Sequence, residues 1–357
     1  MTFCKLLKHG LSFRIPGDSN TLTFNPCCVF GEYIPFHPTV FERKRKLFRE
    51  ANDFIQGCDS CKLKEVTHGT SLRKGSNAQI PDFEDDRIYK VEIAIDTTCN
   101  AACVECGELQ SSLWRKEVAN QKVIHIQPEV EIDTRIDQIK SLVDFNQVKM
   151  IHFWGGEPLL TDTHLKFLRD IKDLSDVSLV YSTNGSIFPD QEVLDIWKQC
   201  KQVKVGISLD GIGDRFSYIR WPLSWDKIVR NLERFKIETS DNVQFFVNSV
   251  ILPLNVFYVN ELGSWLEQNF HTNKNGSPIP YLFIRGEGIM DAANTPPALR
   301  YQVYKMLGAD HTVSRVLQEL PVIDYAKMVS YLDNLDSNRN NNWRQTFPEI
   351  SKYFTDK

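Results

Sequence analysis

Asp96-Thr97-Thr98-Cys99-Asn100-Ala101-Ala102-Cys103-Val104-Glu105-Cys106 leaves the end of a β-rich run, Tyr89–Ile95. Three thiols in eight residues, spaced C-x3-C-x2-C, can wrap one metal centre. Structural zinc normally closes a tetrahedron of four ligands, most often as two C-x2-C pairs. An unequal pair of gaps with three cysteines suits a four-iron cluster, whose fourth iron stays open to a ligand. Zinc with a distant fourth ligand and three incidental cysteines are the other readings.

A rhythm of alternating elements runs outward from this loop. Strand-like runs fall at Tyr89–Ile95, Lys149–Trp154, Ser178–Ser182, Val203–Leu209, Gln244–Ile251 and Tyr281–Arg285. Amphipathic stretches lie between them near 131–145, 162–174, 190–200, 225–238 and 257–269. Leu165, Leu168, Ile171 and Leu174 carry the helical spacing, as do Ile228, Leu232 and Phe235. Strand and helix in alternation imply parallel strands with right-handed crossovers. The fold class is therefore α/β: a partial (β/α)6 TIM-like barrel over 88–290. An amino-terminal cysteine-rich module (1–75) precedes it, and a helical extension (291–357) follows. Pro16, Pro26, Pro35 and Pro38 break the first 75 residues, which read as irregular apart from a helix near 38–56. The polar stretch 74–87 reads as a linker.

The unusual residues gather at one end of the strands, where barrels of this kind place their chemistry. Gly155-Gly156-Glu157-Pro158 follows the second strand, and Ser182-Thr183-Asn184-Gly185 closes the third. Ser208 and Asp210 close the fourth, and Arg285-Gly286-Glu287-Gly288 closes the sixth. Glycines let the backbone approach a ligand, and the proline fixes the chain as it leaves the strand. A plain strand-to-helix turn at 155–158 and an Asx turn at 183–185 are the structural alternatives.

Composition narrows the class. The chain has 357 residues, about two domains' worth at roughly 150 per domain. It is 42% hydrophobic and 25% charged, with a net charge of −4. That balance gives no bulk electrostatic reason to bind nucleic acid. No apolar run is long enough to span a membrane, and residues 1–30 show no secretory h-region, so a cytoplasmic protein is expected. The run Arg43-Lys44-Arg45-Lys46 reads as a solvated helix face. Eight of the nine cysteines lie in the first 106 residues. Without export, clustering of this kind points to metal or catalysis rather than disulfides. Cys200 reads as a small buried hydrophobe and His152 as a packed strand residue.

C-x3-C-x2-C after the first strand with Gly-Gly-Glu-Pro after the second resembles the radical S-adenosylmethionine (radical SAM) superfamily. The likeness covers about residues 88–290. It implies a [4Fe–4S] cluster on Cys99, Cys103 and Cys106 and S-adenosylmethionine on its open iron. Reductive cleavage of that cofactor would then give a 5′-deoxyadenosyl radical, which takes hydrogen from a substrate. It further implies cofactor contacts from Gly155, Gly156, Glu157, Pro158, Ser182, Asn184 and Ser208. Asp214-Arg215…Arg220 looks like the peptide-modifying and twitch-type branches, where Arg220 would pair with a carboxylate of cofactor or substrate. Asn248 is a further candidate on the fifth strand. Glu105 departs from the family, which usually has an aromatic residue there.

Cys4, Cys27-Cys28, Cys58 and Cys61 resemble the cysteine-rich SPASM/twitch region, here ahead of the barrel instead of behind it. That implies a second, auxiliary [4Fe–4S] cluster. Cys4, Cys27, Cys58 and Cys61 are the preferred ligands, because vicinal cysteines rarely serve one cluster together. Structural zinc and free thiols are the alternatives. The expected substrate is a peptide or protein side chain, with a small or nucleotide-derived metabolite as second choice. The expected electron donor is a flavodoxin or ferredoxin. A non-catalytic iron–sulfur or zinc protein is the reading from another class.

Overall fold

The computed structural model describes residues 3–15, 21–119, 131–323 and 325–354. Pro16 lies outside them. The described chain is an α/β structure with a parallel-dominated sheet, and it divides into two compact units that interleave in sequence.

The first unit comprises 1–98, 116–182 and 189–204. It contains β1 (Gly10–Arg14), β2 (Thr23–Asn25), β3 (Ile34–Pro35), β4 (Lys90–Ala94), β5 (Met150–Phe153) and β6 (Ser178–Thr183), in the order β3-β2-β1-β4-β5-β6. β1, β4, β5 and β6 run parallel, while at one edge β2 pairs antiparallel with β1 and β3 antiparallel with β2. Val91 and Ile93 of β4, Ile151 and Phe153 of β5 and Leu179 and Tyr181 of β6 are buried on one face. This is the alternation expected of the pleat.

Several sequence expectations are corrected by these elements. The described part of residues 1–75 is not irregular: β1 pairs with β4 along its whole length, Gly10 opposite Lys90 through Arg14 opposite Ala94. A side chain at Gly10 would press on the Pro26 carbonyl, 2.5 Å from a Cβ placed there. The supposed linker at 74–87 is helical over its first part, within the helix Leu72–Gln79. Gly75, Ser76 and Asn77 weaken its middle, and outside contacts help to hold it. The Ser71 hydroxyl caps it by accepting from Lys74 N. Asn77 ties it to the amino terminus, accepting from Lys5 N at 2.8 Å and donating to Phe3 O at 2.7 Å. The basic run also splits. Arg45 is buried and donates to the carbonyls of Leu7, Lys8 and Gly10, whereas Arg43 and Lys46 are exposed.

The helix expected over 162–174 stops at Leu168. Beyond it, Lys172 N donates to Asn146 Oδ1 and Ser175 N to Asp173 Oδ1. These side chains take the amides that helix carbonyls would otherwise receive. Ile171 and Leu174 are buried all the same.

The second unit comprises 99–115, 183–188 and 205–357. It holds most of β7 (Gln202–Ser208), with β8 (Val243–Ile251) beside it and β9 (Tyr281–Arg285) parallel to β8. The helix Trp225–Glu238 buries Ile228, Leu232 and Phe235, as their spacing predicts. After residue 296 the described chain is helical, ending in Ala326–Arg339 and short turns packed on Trp343, Phe347 and Phe354. No helix among the described residues is long and apolar enough to cross a membrane.

Candidate metal and cofactor sites

In the second unit the three-cysteine loop is fixed by its backbone. Ala102 N donates to Trp221 O at 2.7 Å and Val104 N to Ile219 O at 2.9 Å, so Cys103 lies across from Arg220. The carbonyls are taken as well. Arg339 Nη2 donates to Ala102 O, Trp114 Nε1 to Cys103 O and Tyr331 Oη to Val104 O, at 2.8–2.9 Å. The Arg339 guanidinium stacks at 4.7 Å on both Trp114 and Trp221. Cys99 exchanges two hydrogen bonds with the Ser112 hydroxyl. A loop with its amides and carbonyls satisfied in this way holds its side chains without help from a ligand.

Burial pushes the Cys103 thiol well above its ordinary pKa, and the Cys106 thiol up to about 12. The neighbouring cysteines add to both shifts. The thiolates therefore need a cation, which a metal centre supplies. Among the described residues no three His, Cys, Asp or Glu side chains converge tightly enough to clasp a single ion. Soft thiolates spread along one rigid loop match the donor chemistry of an iron–sulfur cluster, which is held around its periphery rather than at one point.

Arg220 forms the charged centre beside this loop. Its Nε and Nη2 each lie 2.6 Å from Asp210 Oδ2, and Nη2 is 3.4 Å from Glu105 Oε1. Nη1 points to Cys103 Sγ at 3.9 Å. Asp210 is fixed in turn, its Oδ1 accepting from Val250 N at 2.7 Å. Burial works against the Arg220 charge, but Asp210 and Glu105 more than offset it and hold the guanidinium above its ordinary pKa. Burial raises the Glu105 carboxyl, with Arg220 opposing and Asp210 adding.

Asn184 and Gly185 form the Asx turn foreseen as an alternative. Asn184 Oδ1 accepts from Ser186 N, and Gly185 has φ +74°. The same Asn184 reaches the cysteine loop through its Nδ2, which donates to Asn100 Oδ1 at 3.0 Å. Ser208 and Asn248 are half-buried at β7 and β8. Arg285 is engaged by Asp291 at 2.7 Å, and Glu287 is exposed.

In the first unit, Gly155 (φ +111°) and Gly156 lie against the chain just before the cysteines. Gly156 N donates to Asp96 O at 3.0 Å and Glu157 N to Thr98 O at 2.8 Å. A Cβ at Gly156 would overlap the Thr98 carbonyl. We expect Gly156→Ala to cost about 1–3 kcal/mol by forcing this strand end apart, seen as a lowered thermal midpoint. An unchanged midpoint would mean the contact yields easily. Glu157 is buried, and its Oε1 accepts from Leu159 N. Asp96, overlooked in the sequence, accepts from Thr98 N and from the hydroxyls of Thr161 and Thr163. The Thr-x-Thr following the Pro158 turn was the signal for it. Ser182 Oγ is 2.9 Å from His152 Nε2, and burial lowers that imidazole to about 4, so it is neutral.

The upstream cysteines also gather in the first unit. Cys4, Cys27, Cys58 and Cys61 line one small cavity with Leu6, Phe30 and Arg73. Cys28 does not line it; its thiol faces the buried Glu92, which Lys90 Nζ approaches at 2.8 Å. Burial raises the Cys4, Cys27 and Cys58 thiols. Cys200 is buried, its Sγ donating to Ile196 O at 3.3 Å.

Comparisons with known proteins agree with the class that this loop suggests. Residues 94–264, a little under half of the chain, match the radical SAM superfamily model. A GTP 3′,8-cyclase from Clostridium perfringens (strain SM101 / Type A) is 23% identical over 163 residues, 45% of this chain and 46% of the relative. The chain thus spans about half the length of the curated relatives it matches. Among solved structures, native anSMEcpe with bound AdoMet aligns with TM-score 0.39 and 15% identity, covering 66% of this chain and 62% of that one. Streptococcus suis SuiB bound to S-adenosylmethionine aligns with TM-score 0.38 and 11% identity, covering 76% and 57%. Residues 94–264 are thus similar to a radical SAM domain. Such a domain implies a [4Fe–4S] cluster and S-adenosylmethionine as cofactors.

Proposed function

We propose that the protein is a radical SAM enzyme with a partial (β/α)6 barrel over 88–290, in which Cys99, Cys103 and Cys106 hold the catalytic [4Fe–4S] cluster. The supporting observation is the loop itself: three thiols on a backbone whose amides and carbonyls are bonded elsewhere. When bound, the cofactors supply a 5′-deoxyadenosyl radical that abstracts hydrogen from the substrate. The chain's part is to bind, orient and exclude water. Gly155 and Gly156 let the backbone close on the methionyl end of the cofactor, with Glu157 and Pro158 beside them. Ser182 and Asn184 serve its ribose, and Ser208 contacts the cofactor. Arg220 was expected to take a carboxylate of cofactor or substrate; with Asp210 and Glu105 already on it, we assign it to the cluster side instead.

The amino-terminal module 1–75 carries an auxiliary [4Fe–4S] cluster on Cys4, Cys27, Cys58 and Cys61, with zinc the competing occupant. Its place in a SPASM/twitch-type enzyme favours a peptide or protein side chain as substrate. A second reading, a nucleotide-derived substrate, is favoured by the likeness to GTP 3′,8-cyclase. A flavodoxin or ferredoxin would deliver the electron. Nine free cysteines suit a reducing, cytoplasmic setting. Anaerobically reconstituted protein with dithionite and S-adenosylmethionine should form 5′-deoxyadenosine. A fully loaded protein that forms none would overturn the reading.

A further inference from the structure

Arg220 and Cys103 face one another because residues 102–104 and 219–221 are joined by backbone hydrogen bonds on either side of them. The guanidinium has little freedom to turn away. Asp210 Oδ2 holds Nε and Nη2, and Asp210 is itself pinned by Val250 N and, through its carbonyl, by Asn255 Nδ2 at 3.1 Å. The remaining nitrogen, Nη1, is aimed at Cys103 Sγ. Glu105 approaches the same guanidinium, and its Oε2 is buried without a hydrogen-bond partner. Two carboxylates and one cation are thus fixed beside a single sulfur, shut away from solvent screening.

A fold that needed only to brace this loop already has the backbone bonds and the Tyr331, Trp114 and Arg339 contacts. The ion triad adds charge at the sulfur, and charge with N–H···S donation is what sets the potential of a thiolate-bound cluster. We propose that Arg220 is a positioning residue that tunes the cluster on Cys103: Asp210 aims its N–H at the sulfur, and Glu105 counters its charge. This rests on the proposed assignment of the cluster to Cys99, Cys103 and Cys106. Glu105, beside the Arg220 guanidinium, then acts on potential.

The test is a redox titration at alkaline pH, followed by the electron paramagnetic resonance signal that disappears when Cys99, Cys103 and Cys106 are all replaced by alanine. Glu105→Gln keeps the shape and removes a negative charge, so the midpoint should move positive at unchanged iron content. Arg220→Lys keeps the charge but withdraws the N–H from Cys103, so the midpoint should move negative. Because Arg220→Lys leaves Asp210 poorly paired and can fail to fold, the isosteric Glu105→Gln decides alone if it must. A Glu105→Gln midpoint equal to or below that of the unaltered protein overturns the inference while leaving the enzyme reading intact. A signal that survives the triple alanine replacement overturns the cluster assignment and this inference with it.

Discussion

Alanine at Cys99, Cys103 and Cys106 together should abolish 5′-deoxyadenosine formation and remove about four of about eight iron atoms per chain. All three thiols sit on one loop, and none has a neighbouring cysteine that could substitute among the residues of its unit. The loop should survive their loss. Its amides and carbonyls are held by Trp221, Ile219, Arg339, Trp114 and Tyr331, and these contacts do not involve the sulfurs. Circular dichroism should therefore stay close to that of the unaltered protein while activity falls to background. Iron analysis and product quantification on the same preparation check it. Variants that keep both the full iron content and the activity would show the cysteines to be incidental.

The three-cysteine loop was legible because its chemistry is local: three cysteines at fixed spacing after an alternating apolar run. The six strands from Tyr89 onward were legible for the same reason, each being short, apolar and bounded by turn residues. What the sequence hid depends on distant partners. β1, with only five residues, becomes a strand because β4 lies beside it. The helix Leu72–Gln79 exists because Ser71 caps it and Asn77 binds the amino terminus. Arg45 looked like one charge of a solvated run, yet it satisfies three carbonyls that no local pattern announces. Tyr331 and Arg339 were invisible for a similar reason. Their contacts with the cysteine loop span 227 and 237 residues of chain. Motif reading finds the thiols and misses what holds them.

The proposed auxiliary site is tested most directly through loss of order. Cys58→Ser with Cys61→Ser should remove the metal that the triple alanine variant retains, and the thermal midpoint should drop by on the order of 10 °C. The two helices that begin at Cys4 and Cys58 have weak starts of their own. The helix Lys5–His9 has five residues, far fewer than an isolated helix needs. Neither it nor the helix Asp59–His68 has a side-chain hydrogen bond at its N-cap, and the N-cap residues are Cys4 and Cys58. A metal bridging these two positions would pin both helix starts, and the helix dipole of Asp59–His68 favours the Cys58 thiolate at its end. Burial otherwise keeps the Cys4, Cys27 and Cys58 thiols protonated, so the empty pocket has no comparable tie. Hydrogen exchange should accordingly speed up across residues 4–9 and 59–66 in the serine variant and stay slow along β4. Cys27 lines the pocket and Cys28 does not, so Cys27→Ser should release the metal and Cys28→Ser should retain it. Elemental analysis tells iron with sulfide from zinc in the same samples. If the double serine variant keeps its metal and its midpoint, the four cysteines are free thiols packed into an apolar seam.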